Sequence, residues 1–88
     1  MNTDLIILRL QGFALQFRLG RPLEITEDFV IFLTEIIPEL VGMKSRSKFS
    51  IQDIVSSILE CQEAEDWLGL ADYLEYELPE FLNNLLID

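Results

Sequence analysis

The chain has 88 residues, half of them hydrophobic, with 16 acidic and 6 basic side chains, no histidine and a formal net charge of −10. High hydrophobicity beside high charge excludes intrinsic disorder, and the acidic balance opposes direct binding to nucleic acid or to an anionic membrane. Without histidine there is no Ser-His or Cys-His nucleophile pair, no imidazole acid or base and no ordinary zinc site.

A chain of this length makes one domain, spanning residues 1–88. Residues 5–19 admit two readings. As a helix, Ile6, Leu10, Phe13 and Phe17 make one apolar stripe and Leu5, Leu8, Leu15 and Leu19 a second. As a hairpin turning at Gln11-Gly12, Ile6, Leu8 and Leu10 face Phe17, Leu15 and Phe13. The Leu, Gln and Arg content favours helix, and Gln-Gly is a weaker turn dipeptide than Asn-Gly. The expected fold is therefore all-α, a small up-down helical bundle of about four helices. The alternative is α+β with an N-terminal β-hairpin at 5–19. An isolated bundle covers one stripe per helix, so Leu5, Leu8, Leu15 and Leu19 are the candidate self-association surface of a homodimer.

Residues 26–41 read as a second helix, with Thr26 as cap, Glu27 and Asp28 in the first turn and Gly42 as the stop. Phe29, Val30, Phe32, Leu33, Ile36, Ile37, Leu40 and Val41 cover half its wheel, and Pro38 falls on the polar face with Glu27 and Thr34. In the loop that follows, Lys44, Arg46 and Lys48 alternate with small or polar residues, so an extended chain puts all three on one side. Their expected role is to complement the carbonyl end of the preceding helix. Three cations alone are weak evidence for nucleic-acid binding.

The clearest helix is 51–61, with Ile51, Ile54, Val55, Ile58 and Leu59 opposite Gln52, Asp53, Ser56, Ser57 and Glu60, and with Ser50 and Asp53 spaced as a capping box. Cys61, at its edge, is the single cysteine, so no internal disulfide forms. No cation stands near to lower its pKa, and an inert thiol is expected. Asp4 sits where a secretory signal carries positive charge, and no apolar run approaches the roughly 18 residues of a membrane span. A cytoplasmic protein is expected. Glu60, Glu63, Glu65 and Asp66 lack the alternating ligands and glycine turn of a calcium loop. No metal or cofactor is expected.

From 65 to 78, Trp67, Leu70, Ala71, Leu74 and Leu78 make a helical stripe with Trp67 as a core anchor, and Pro79 stops or kinks the helix. Phe81, Leu82, Leu85 and Leu86 form a last short piece. Opposite the stripe, Asp72, Tyr73, Tyr76, Glu77 and Glu80 are the candidate partner-binding residues. Exposed tyrosines supply contact area, and carboxylates select a basic partner. The regional charges sharpen this: +2 over 1–22, −5 over 23–42, +3 over 43–50 and −10 over 51–88.

The segment Asp66-Trp-Leu-Gly-Leu-Ala-Asp-Tyr-Leu-Glu-Tyr-Glu-Leu-Pro-Glu-Phe-Leu82 resembles the C-terminal signature of small uncharacterised helical proteins of Gram-positive bacteria. In these an aspartate-aromatic pair leads into a Leu-Ala-Asp-x-Leu-Glu-Tyr-Glu-Leu stretch. The resemblance implies an all-helical chain whose first helix ends at Gly20, and it carries no activity.

Three functions compete. The first is a non-enzymatic protein-interaction module, an adaptor or chaperone-like bundle whose acidic half binds a basic or amphipathic partner. The second is a nucleic-acid-mimicking inhibitor of a nucleic-acid-binding protein. The third, an enzyme using carboxylates alone, needs a cleft that so small a bundle seldom encloses.

Overall fold

The computed structural model describes residues 2–20 and 22–85; Leu86, named above, lies outside them. Thr3–Arg18 form α1, which overturns the hairpin alternative for 5–19. A helix satisfies its own backbone, whereas a lone two-stranded ribbon leaves both edges open and is marginal in water. The side chain of Asn2 accepts the Leu5 N–H at 3.1 Å and caps the start, with Asp4 in the first turn where the helix dipole favours an acid. Gly20 closes the other end at φ +76°, its N–H donating to the Phe17 carbonyl at 3.2 Å.

Pro22–Leu40 form α2, which begins a full turn before the expected Thr26 cap. Proline suits a first helical position because its missing N–H has no acceptor there, so Thr26 falls inside the helix. Phe29, Phe32, Leu33, Ile36 and Leu40 are buried and Ile37 half-buried, while Val30, Ile31 and Val41 stay exposed. Pro38 is exposed with Glu27 and Thr34, as its place on the wheel requires, and the helix runs past it.

In the loop, Lys44, Arg46 and Lys48 are exposed and the serines between them half-buried, so the cations share one side. The expectation that they complement the preceding helix needs correction, because this loop docks on the last one. Ser45 Oγ donates to the Phe81 carbonyl at 2.8 Å, the Arg46 N–H donates to the Asn84 carbonyl at 2.9 Å, and Ser45 and Leu85 form an isolated antiparallel bridge. These contacts are made by a serine hydroxyl and the backbone, while the three cationic side chains stay exposed.

Ile51–Glu63 form α3, with Ser50 Oγ accepting the Asp53 N–H at 3.2 Å. Ile51, Ile54 and Ile58 are buried, Val55 is half-buried and Leu59 is exposed. The helix ends at a left-handed residue that is not glycine: Glu65 has φ 56°, and the Asp66 N–H reaches back to the Cys61 carbonyl at 2.8 Å. Asp66 then caps the next helix by accepting the Gly69 N–H at 3.0 Å, and a Cβ at Gly69 would overlap that carboxylate. Of the four acids, Glu60 and Glu63 therefore lie on α3, and Glu65 and Asp66 form the turn.

Trp67–Asp72 form α4, Tyr73–Glu77 a π-helical turn and Leu78–Asn83 α5, in one unbroken helical path. Of the two expectations for Pro79, a stop or a kink, the stop does not occur. Proline cannot donate to the Glu75 carbonyl and its ring crowds that position; the Leu78 N–H instead bonds five residues back to Tyr73, and the wider turn carries the chain past the ring. Of the expected stripe, Leu70, Ala71, Leu74 and Leu78 are buried and Trp67 is half-buried against the core; Phe81 and Leu82 of the last piece are buried too.

This last helix packs against both α1 and α3, and α2 packs against α1. The result is a helical bundle with no strand among the described residues and no buried polar or charged side chain. Its helices lie within overall extents of 40 × 22 × 19 Å. Aromatic rings join them: Phe13 lies 5.3 Å from Phe29 and 5.4 Å from Phe32, Phe17 lies 5.3 Å from Phe29, and Trp67 stacks on Phe17 at 5.5 Å.

Phe17→Ala is expected to cost about 3–5 kcal/mol, comparable to the whole stability of a small domain. Leu15→Ala, two residues away and exposed, should leave the unfolding free energy within about 0.5 kcal/mol of the parent. Glu65→Gly should stabilise by about 1 kcal/mol, since glycine adopts the left-handed conformation without strain and a carboxylate leaves the negative end of α3. Urea unfolding measures all three.

Candidate functional site

The acidic-aromatic residues do not form one uniform face. Tyr76 is 59% exposed and Glu80 is exposed beside it on the helix, with Glu77 half-buried. Tyr73 is half-buried and packs against the core, because it lies at the flank of the Leu70–Leu74 stripe, not opposite it. Asp72 is exposed but engaged. Arg18, at the end of α1, donates from Nη2 to Asp72 Oδ1 at 2.7 Å and to Glu75 Oε2 at 2.6 Å, and from Nε to the same Glu75 oxygen at 3.1 Å. Bonding to Asp72 and then Glu75 pushes the guanidinium pKa further up, so the cation is permanent. Two carboxylates on one cation leave a net −1, and the acidic face keeps its sign.

The leucine stripe stands clear of the fold. Leu5, Leu8, Leu15 and Leu19 are between 56% and 61% exposed, while Ile6, Leu10, Ala14 and Phe17 on the other side of α1 are buried. Gly12 lies in the middle of the exposed stripe, where a Cβ would meet nothing within 4 Å. The close helix contact that could excuse a glycine there is absent within the described residues. Beside it, Arg9, Gly12, Phe13, Gln16 and Ile25 line an open cavity of about 310 Å³ between α1 and α2. Arg9 is held over the Phe32 ring at 4.3 Å from its centroid.

Arg18 connects the two surfaces. It flanks the leucine stripe on one helix and holds two carboxylates of the acidic face on another. Neither Arg18 nor Glu75 was among the residues singled out from sequence. A polar pair 57 positions apart leaves no local signal, whereas the leucine spacing was visible in the chain itself.

Elsewhere the surface offers less chemistry. Met43, Lys44, Ser45, Ser47, Phe49, Ser50 and Phe81 help line a depression of about 450 Å³, and its serine hydroxyls already bond within the loop and its caps. No three acidic or cysteine side chains among the described residues are grouped to hold a metal ion. Cys61 is half-buried; burial pushes its thiol pKa up, and Asp66 and Glu60 add to the shift. No described helix is long and apolar enough to cross a membrane. No protein-family model, curated protein or solved structure matches the chain.

Iodoacetamide should alkylate Cys61 more slowly than a free thiol at pH 8, with a rate profile displaced to higher pH. A profile at or below that of free cysteine would contradict the environment described. Arg18→Ala should lower the melting temperature modestly at low salt, and the difference should shrink as salt screens this partly exposed pair.

Proposed function

We propose that the chain is a non-enzymatic protein-interaction module, adaptor or chaperone-like, whose acidic C-terminal half binds a basic, amphipathic protein partner in the cytoplasm. The observation that carries this reading is Tyr76, exposed among Glu77 and Glu80 and close in the chain to the net-negative Arg18–Asp72–Glu75 cluster. A tyrosine buries a large rigid surface at little entropic cost, and the surrounding carboxylates reward lysine or arginine on the partner. The chain lacks the positive charge for nucleic acid and offers a partner apolar surface beside its acids. A second copy is the competing occupant of the leucine stripe.

Titration of the isotope-labelled chain with a lysine-rich amphipathic helical peptide should shift the amides of residues 72–80. The affinity should fall with salt. Tyr76→Ala combined with Glu80→Lys should weaken binding about tenfold or more at unchanged melting temperature. Equal affinity for a glutamate-rich peptide of the same apolar pattern would remove the reading. If instead the chain binds a DNA-binding protein, competes with its DNA and ignores the peptide, the nucleic-acid-mimicking inhibitor takes its place.

A further inference from the structure

Leu5, Leu8, Gly12, Leu15 and Leu19 follow one another at intervals of three, four, three and four, the spacing of a coiled-coil seam. All four leucines face solvent. The seam has one gap, Gly12, and nothing within the described fold asks for glycine there: its φ is not positive and no neighbour approaches its missing Cβ. Glycine in a helix interior destabilises it, so the chain carries a cost that its own packing does not explain. The gap opens sideways into the cavity lined by Arg9, Phe13, Gln16 and Ile25. Its apolar floor and polar rim suit one bulky apolar side chain arriving from outside.

We propose that this face of α1 is the apolar half of the same docking surface, and that Gly12 is a notch receiving one large apolar side chain of a basic amphipathic helix laid along the seam. This rests on the reading of the acidic half given above and names its partner. In a facing helix each knob enters a hole between seam residues, and Gly12 with its cavity is the hole that this seam offers. Charge selects the occupant. At the notch itself Arg9 is turned onto the Phe32 ring, whereas on the other flank, at the end of α1, the seam meets Arg18, saturated by Asp72 and Glu75 with one negative charge to spare, so lysine or arginine is favoured at that end of the incoming helix. A second copy of the chain is disfavoured twice over. It would bring another −10 and a matching acidic flank, and a two-fold axis at the centre of the seam would set glycine against glycine and leave the notch empty.

The test uses the whole chain and two lysine-flanked amphipathic peptides, one with phenylalanine at its centre and one with alanine there. Wild-type protein should bind the phenylalanine peptide about tenfold more tightly. Gly12→Gln fills the notch with a polar, helix-favouring side chain, so it should raise the melting temperature and abolish that preference. The loss of the difference between the two peptides is the coupling of interest. Leu8→Gln should weaken both peptides without changing the melting temperature. If wild-type protein binds the two peptides equally while residues 72–80 still shift, the notch is refuted and the acidic-face reading survives. If neither peptide shifts any amide, both readings fall. A dimer by light scattering that Leu8→Gln dissociates and that excludes the peptides would overturn the proposal in favour of a second copy.

Discussion

Phe17 is the point at which three helices are held together. Its ring meets Phe29 of α2 edge-on and lies flat against Trp67 at the start of the C-terminal helix, and Phe13 extends the contact to Phe29 and Phe32. Offset and edge-on ring pairs add to the burial of large apolar surfaces. Because the same side of α1 also supplies Ile6, Leu10 and Ala14 to the core, that helix is committed on one face. Its other face is left to the solvent by the same geometry, and the leucines there are the consequence.

The second constraint is Pro79. A buried proline inside a helical path costs a hydrogen bond and crowds the turn before it. The π-helical turn at Tyr73–Glu77 absorbs this without breaking the helix. It also falls on the segment that carries Tyr73, Glu75, Tyr76 and Glu77, so the arrangement of the acidic face follows from the accommodation of a ring in the core. Wide turns of this kind recur at functional sites because they re-aim side chains that a regular helix would space evenly.

Two of the positive charges are engaged inside the molecule. Arg9 lies over Phe32, Arg18 binds Asp72 and Glu75, and the loop bearing Lys44, Arg46 and Lys48 docks on the carbonyl end of the last helix. Together these placements leave the carboxylates of Glu77 and Glu80 without a cation among the described residues.

The amino-acid sequence by itself favoured the helical class over a hairpin at 5–19 and determined the stripes of α3 and the C-terminal helix, the glycine stop at Gly42, the Ser50 cap and, for a helical 5–19, the surplus leucine stripe. These are readable because they depend on residues three or four positions apart, or on one residue's backbone preference. The start of α2 at Pro22 was missed because Thr26 carried a competing local signal of equal kind. Tertiary structure alone decided the rest: that Tyr73 packs inward while Tyr76 does not, that the basic loop serves the last helix and not the one before it, that Arg18 joins the leucine stripe to the acidic face, and that Gly12 opens onto a cavity. Each of these depends on groups far apart in the chain brought within a few ångströms, and the periodicity of a helix says which side a residue faces but not what it will meet there.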